Sequence, residues 1–134
     1  MLIRLIPERG GDGTTCGIIA MNDTGSSVLS LFHSDLPYLG NIQGYNGWVG
    51  NVAVTYANGA VNILPMIIVQ VKLVRNDNTL WSEWIQELAV VQPQLPGQMR
   101  LSGFYIRQAL YMGTAPGHNF LAVATTKGGL LSLL

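Results

Sequence analysis

The stretch "AMNDTGSSVLSLF", residues 20–32, places one carboxylate, Asp23, between an apolar segment and a run of small residues. A short run of Asn, Asp, Gly and Ser between apolar segments is typical of a polar turn joining two strands. The same pattern suits catalysis, because small neighbours let a loop hold a carboxylate where it can activate a water molecule. The stretch therefore leaves two interpretations open, a structural turn and a catalytic loop.

The other reactive side chains form no recognisable catalytic or metal-binding pattern. Cys16 is the only cysteine, and the two histidines, His33 and His118, lie far apart in the chain rather than at metal-ligand spacing. The sequence contains neither the Gly-x-Ser-x-Gly elbow of serine hydrolases nor a complete phosphate-binding glycine loop. Asp12 and Asp35 are interpreted as loop residues. We therefore predict a protein that uses no metal and no cofactor.

Composition limits the classes of partner. The chain has 134 residues, 49% of them apolar and 10% charged, with seven basic and seven acidic side chains. This length predicts one domain, and so few charges favour self-association over a fully solvated surface. Balanced charge argues against a nucleic-acid partner, since no basic surplus is available to neutralise phosphates. No apolar run is long enough to cross a membrane, and neither a signal peptide nor a cysteine pair is present, which predicts a soluble, intracellular protein.

Gly and Pro interrupt the chain at short intervals, and the segments between them are rich in Val, Ile and Leu, which predicts many short strands. We expect strands over residues 2–6, 16–21, 28–32 and 119–125, with a loop-rich segment over 34–50. Residues 81–91 fit either a helix or a strand. Residues 101–112 predict a glycine followed by a short helix.

The clearest hairpin spans residues 51–64, where apolar and polar side chains alternate around Asn58-Gly59. An Asn-Gly pair is well suited to the positive φ angles of a tight turn. The return strand is expected to continue to Leu73. Proline cannot donate a ladder hydrogen bond, so we expect a break or an edge position at Pro65.

Three separated segments resemble aspartic proteases. "DTGSS" at 23–27 resembles the active-site loop of that family, and "VTYANGAVNILPMIIVQV" at 54–71 resembles the flap hairpin of pepsin-like enzymes. "LSGFYIRQALYM" at 101–112 resembles their apolar–apolar–Gly motif and the helix that follows. No second Asp-Thr-Gly or Asp-Ser-Gly is present, and the length is that of one lobe. The chain thus resembles a retropepsin-like aspartic protease, a single-lobe relative of pepsin.

The resemblance implies one mostly β lobe over residues 1–134, a closed β-barrel with a flap hairpin and one short helix in the C-terminal half. It also implies an aspartic endopeptidase that hydrolyses peptide or polyprotein substrates. Such a reaction needs two carboxyl groups that share a proton. With one lobe per chain, the second carboxyl would come from a twofold-related copy in a homodimer.

The resemblance gives each residue of the active-site loop a role. Asp23 would be the catalytic residue, and Thr24 would bind its counterpart across the dimer. Gly25 would let the backbone approach the partner carboxylate closely. Ser26 is expected to donate a hydrogen bond to the Asp23 carboxylate and so favour its ionised form.

The flap residues also receive roles from the resemblance. Tyr56 would lie over the bound substrate, although a cross-strand aromatic residue in any hairpin has the same sequence pattern. Ala57, Asn58 and Gly59 would form the flap tip that closes over the peptide and excludes water. The apolar character of the flap predicts a preference for apolar side chains beside the cleaved bond.

Two positions depart from the family pattern. Asn22 precedes the aspartate where the family has an apolar residue, and Ser102 occupies the middle of the apolar–apolar–Gly motif. Neither change removes a reacting group. They leave an alternative function open, namely a retropepsin-fold dimerisation or peptide-binding module with weak or no proteolysis.

Overall fold

The computed structural model describes residues 1–134, of which 38% lie in strands and 17% in helices. This confirms the prediction of a mostly β fold. The strands are β1 (Leu2–Leu5), β2 (Thr15–Gly17), β3 (Ala20–Met21), β4 (Leu29–Phe32), β5 (Trp48–Thr55), β6 (Val61–Lys72), β7 (Ile85–Gln92), β8 (Arg100–Leu101), β9 (Tyr111–Gly113) and β10 (Ala122–Ala124). The helices are α1 (Phe104–Ala109), α2 (Lys127–Leu133) and two 3₁₀ helices, Pro7–Arg9 and His33–Leu39.

Six strands form the main sheet in the order β2-β1-β6-β7-β4, with β5 paired to β6 outside this path. The β4–β7 pair is parallel and the other pairs in this sheet are antiparallel. Two small sheets complete the fold, a parallel β3–β8 pair and an antiparallel β9–β10 pair. The loop that carries Asp23 lies between β3 and β4, and α1 follows β8 after two residues.

The sheet is open, so the predicted closed β-barrel is wrong. Closure would require β4 at one edge to continue the backbone ladder to a further strand. Instead, β8 approaches β4 through a side chain, because the Leu101 amide donates to the Ser30 hydroxyl at 2.6 Å. The backbone of β8 pairs with β3, and the ladder ends at β4.

The core lies on one face of the main sheet. Alternation along β1 and β6 directs Ile3 and Leu5, and then Ile67, Val69 and Val71, into it. Strand β4 is buried along its whole length. Ile106 of α1 packs against the same cluster. This packing fixes α1 beside the sheet, next to the loop that carries Asp23.

The predicted hairpin is confirmed as β5–β6. Gly59 has a φ of 84°, so the turn depends on a residue without a Cβ. The expected break at Pro65 is absent, because β6 is continuous over Val61–Lys72. The irregularity lies in the partner strand, where the register shifts between Trp48 and Asn51 and Gly50 has a φ of 96°. The alternative expectation, an edge position, holds, because Pro65 precedes Met66, the first β6 residue paired with β7, and removes no hydrogen bond from that ladder.

The structure has a strand in the ambiguous segment 81–91 and two α-helices where one helix was predicted. Residues 85–92 are strand β7, buried between β6 and β4. Helix α1 is confirmed, but α2 is a second helix in a segment whose apolar side chains gave no periodic signal. It begins where the Thr126 hydroxyl accepts from the Gly129 amide at 3.0 Å. The structure contains no helix of the length and apolarity that a membrane crossing requires.

Candidate active site

The Asp23 loop and the β5–β6 hairpin face each other across one cleft of about 730 Å³. Asp23, Gly25 and Ser26 line it on the loop side, and Tyr56 and Ala57 line it on the hairpin side. Asp23 is the only charged residue among the seventeen that line the cleft. The remaining walls consist of apolar residues and of uncharged polar residues. The cleft therefore presents a single carboxylate to an otherwise neutral surface.

Asp23 is held in a local turn. Its Oδ1 accepts a hydrogen bond from the Gly25 amide at 2.9 Å, and the Ser26 amide donates to its carbonyl at 3.2 Å. A Cβ on Gly25 would lie 3.3 Å from that same Oδ1, which is a tight contact. The predicted need for glycine at this position therefore has a basis within one chain, in the approach of the backbone to its own carboxylate.

Ser102 and Arg107, which follow β8 in the chain, bind the backbone of the Asp23 loop. The Asp23 amide donates to the Ser102 hydroxyl at 3.2 Å, and the Ser102 amide donates to the Met21 carbonyl at 2.9 Å. Arg107 of α1 donates from Nη1 to the Asp23 carbonyl at 2.7 Å and from Nη2 to the Ser26 carbonyl. The first and third sequence motifs are thus brought together by direct hydrogen bonds.

Thr24 does not line the cleft. It is exposed and lines a separate cavity of about 400 Å³ together with Arg107, Tyr111, Met112 and other residues near β9. The loop therefore contributes to two cavities, with Asp23 lining the cleft and Thr24 lining the second cavity.

The predicted hydrogen bond from Ser26 to the Asp23 carboxylate is wrong within the chain. The Ser26 hydroxyl donates instead to the Val28 carbonyl at 2.6 Å. This contact closes the turn that leads into β4. The donor to the carboxylate is the Gly25 amide, so Ser26 stabilises the loop backbone.

Tyr56 is tied to the body of the molecule. Its hydroxyl donates to Oε1 of Gln92 at 3.1 Å, and Gln92, at the end of β7, is 4% exposed. A buried amide oxygen requires a partner, and Tyr56 supplies it. The bond orients the tyrosine at the cleft wall, which the sequence pattern of a cross-strand aromatic does not predict.

The flap tip lies beside the cleft. The Tyr56 amide donates to the Ala60 carbonyl and the Gly59 amide to the Tyr56 carbonyl, both at 2.9 Å, while Asn58 Oδ1 accepts from the Ala60 amide. Ala57 lines both the cleft and an adjoining groove, Asn58 lines only that groove, and Gly59 lines neither. Of the four predicted flap residues, Tyr56 and Ala57 thus line the wall of the cleft opposite the Asp23 loop.

The buried carboxyl group of Glu87, on β7, accepts hydrogen bonds from backbone amides of α1. Glu87 of β7 is 1% exposed and accepts from the amides of Ile106 at 3.0 Å, Tyr105 at 3.3 Å and Leu88 at 3.2 Å. Burial raises the pKa of the Glu87 carboxyl above its ordinary range, and these amides and Arg107 only partly oppose the rise. A Cβ on Gly103 would collide with this carboxyl group, so the glycine of the third motif makes room for Glu87.

Asp35 is a buried ion-pair residue rather than the loop residue that the sequence predicted. Arg100 binds both of its carboxylate oxygens, from Nη2 at 2.6 Å and from Nε at 2.9 Å. The Phe32 amide donates to the same group at 2.9 Å. Burial acts to raise the pKa of the Asp35 carboxyl, but these hydrogen bonds outweigh it and hold the pKa below its ordinary range. Asp35 is therefore engaged structurally and lies outside the cleft.

The chain matches no known family model, no curated protein and no solved structure. No group of three or more His, Cys, Asp or Glu side chains is arranged to hold a metal ion.

Sequence reasoning assigned no role to Arg107 or to Gln92. Arg107 lies within the segment "LSGFYIRQALYM" at 101–112. A single basic residue in an otherwise apolar motif is a signal that could have identified Arg107 as a residue that binds the loop. Gln92 gives no such signal, because its partner Tyr56 is 36 positions away in the chain.

Proposed function

We propose that this protein is an aspartic endopeptidase of the retropepsin type, in which Asp23 activates the water that attacks the scissile peptide bond. The observation that carries the proposal is the position of Asp23, the one charged residue of a cleft whose opposite wall is the Tyr56 hairpin. A carboxylate that removes a proton from water has to reach both water and substrate. Asp23 is partly exposed at the cleft; Ser102 and Arg107 bind its backbone, and the Gly25 amide binds its carboxylate.

The mechanism requires a second carboxyl group, and the cleft of one chain contains none. One carboxylate takes the proton from water while the other, protonated, donates to the carbonyl oxygen of the substrate. Two such groups held side by side share one proton, because ionising both is unfavourable. We infer that Asp23 of a twofold-related copy supplies the second group.

The face beyond Thr24 supports such a dimer. Thr24 adjoins the β9–β10 pair, where Tyr111 and Leu121 are 48% and 41% exposed. Residues 111–134 contain a single Lys or Arg, Lys127, and no acidic residue. Two identical copies can meet at such a face without charge repulsion and bury apolar area. We call Tyr111, Leu121 and the exposed residues of α2 the C-terminal face.

The most direct test is digestion of a peptide library from about pH 3 to pH 7, with and without a statine-type transition-state mimic. We expect cleavage at acidic pH, mainly between apolar residues because the cleft walls are uncharged, and inhibition by the mimic. Absence of cleavage at every pH would contradict the proposal. If peptides were still bound in that case, the chain would be the binding module that the sequence left open.

A charge in the C-terminal face should separate the dimer. We expect Leu121→Asp to raise the dimer dissociation constant by about 100-fold or more, since the twofold axis brings two like charges together. Sedimentation over a range of concentrations measures this change, and peptide cleavage should fall in parallel. Tyr38→Asp is the matched control, because Tyr38 is 68% exposed on the His33–Leu39 helix. Equal dissociation constants for the two variants would contradict the assignment of the C-terminal face.

A further inference from the structure

Asn22 and Ser102, the two departures from the family pattern, lie side by side. Strands β3 and β8 are parallel, with Ala20 opposite Arg100 and Met21 opposite Leu101. Asn22 directly follows β3 and Ser102 directly follows β8, so the two residues are neighbours. The Ser102 hydroxyl donates to Oδ1 of Asn22 at 3.4 Å.

The Ser102 hydroxyl has its full set of hydrogen-bond partners. A hydroxyl group has one hydrogen and two lone pairs. The hydrogen points to Asn22, and the oxygen accepts from the Asp23 amide at 3.2 Å and from Arg107 Nη1 at 3.3 Å. Ser102 is 4% exposed, and together with the exposed Asn22 it lines a cavity of about 430 Å³.

The Asp23 amide thus depends on Ser102, and the Ser102 hydroxyl takes its acceptor from Asn22. An apolar residue at position 102 would leave the Asp23 amide without its partner. An apolar residue at position 22 would leave the buried Ser102 hydrogen without an acceptor. A donor that loses its partner without compensation destabilises the fold, so a change at one position alone is unfavourable.

The pair controls the point at which the chain leaves β3 and turns into the cleft. The backbone ladder ends at the bond from the Ser102 amide to the Met21 carbonyl. From there the Ser102 side chain takes the place of a strand neighbour and binds the amide of Asp23. Arg107 binds the carbonyl of Asp23 at the same time, so both backbone polar groups of this residue are fixed.

We propose that Asn22 and Ser102 form a coupled pair of positioning residues that orients Asp23 through its backbone amide. Neither residue is required to touch the substrate. The inference rests on the proposed function for its effect on catalysis, whereas its effect on the Asp23 amide is independent of activity.

Two quantities are measured for each variant and for the unaltered chain. The first is the rate of amide hydrogen exchange at Asp23, measured by NMR on the full chain, and the second is kcat and KM for a peptide that the protein cleaves. We expect Ser102→Ala to accelerate exchange at Asp23 by about 10-fold, the equivalent of one lost hydrogen bond. It should lower kcat with little change in KM, because the substrate-binding walls are untouched. Ser102→Thr retains the hydroxyl and should restore both values.

The coupling is tested with Asn22→Val and Ser102→Leu, each alone and both combined. Asn22→Val should have an intermediate effect in the same direction as Ser102→Ala. The double variant, which restores two apolar side chains, should cost less than the sum of the two single changes. Additive effects would contradict the coupling.

Ser82→Ala is the matched control. The Ser82 hydroxyl also accepts a backbone hydrogen bond, from the Leu73 amide at 2.8 Å, far from the cleft. Its removal should lower stability without changing Asp23 exchange or kcat. Unchanged exchange at Asp23 in both Ser102→Ala and Asn22→Val would overturn the inference. Absence of cleavage in the unaltered chain would overturn the proposed function, while the exchange data would still decide the positioning role.

Discussion

Replacing Asp23 by asparagine is expected to abolish peptide cleavage while leaving the fold intact. Asparagine has nearly the same shape, and its Oδ1 can still accept from the Gly25 amide. The bonds from Ser102 and Arg107 reach the backbone of residue 23 and do not depend on the charge. The amide cannot take a proton from water, so we expect kcat to fall by at least about 10⁴-fold, the upper range for a lost acid–base group. Peptide cleavage measured across the active pH range tests this result.

The chain supplies close controls for this substitution. Asp12 Oδ1 accepts from the Thr14 amide at 2.9 Å, and Asp77 Oδ1 accepts from the Thr79 amide at 3.0 Å. Both repeat the local turn of Asp23, in which the carboxylate binds the amide two residues further on, but neither lines the cleft. Asp12→Asn and Asp77→Asn should retain full activity. Residual cleavage by Asp23→Asn at the level of these controls would show that Asp23 is not catalytic.

Local sequence signals predict the parts of the site that depend on neighbouring residues. Alternation around Asn58-Gly59 predicts the β5–β6 hairpin, and the run of small residues after Asp23 predicts a tight loop. Both features are determined within a few positions of the chain. The hairpin and the loop therefore come from turn chemistry, and the structure adds only that they face the same cleft.

Contacts between distant parts of the chain were not predictable. The Tyr56–Gln92 bond joins residues 36 positions apart, and the Asp35–Arg100 pair joins residues 65 positions apart. No local pattern distinguishes these polar residues from exposed ones. The same limit applies to the predicted barrel, because closure depends on whether β4 finds a further strand. The Ser30 side chain occupies that position.

The apolar–apolar–Gly motif illustrates the difference at a single position. The sequence identifies Ser102 as a departure because it is polar where apolar packing is expected. Only the register of β3 against β8 reveals that Asn22 is its partner. Two apparent defects, 80 positions apart, are thus one hydrogen-bonded pair. The activity implied by the motif stays a prediction until cleavage is measured.

The second large expected effect is a pH dependence of the free energy of unfolding. Two buried carboxyl groups, Asp35 and Glu87, change it in opposite directions as the pH rises. The pKa of Asp35 is held below its ordinary value of 3.8, so its contribution to stability is present above that value and is lost as the pH falls through the folded pKa. The pKa of Glu87 is raised above its ordinary value of 4.5. Its contribution is present below 4.5 and is lost as the pH rises through the folded pKa.

We therefore expect the free energy of unfolding to be greatest in mildly acidic solution, where Asp35 is ionised and Glu87 is neutral. Arg100→Met should cost about 3–5 kcal/mol at neutral pH, because it leaves the Asp35 carboxylate buried without its cation. The cost should shrink as the pH falls and Asp35 becomes protonated. Glu87→Gln should abolish the loss of stability between acidic and neutral pH. Urea unfolding of each variant across this range measures both effects.

Glu83→Gln is the control for Glu87→Gln, because Glu83 is exposed just before the same strand. It should leave the pH profile unchanged. A stability that rises steadily from acidic to neutral pH in the unaltered chain would contradict the role given to Glu87. A neutral Glu87 receives the amides of α1 without a buried charge, and α1 carries the arginine that binds the Asp23 loop. The free energy of unfolding is thus expected to be greatest at the acidic pH at which two aspartates that share one proton would work.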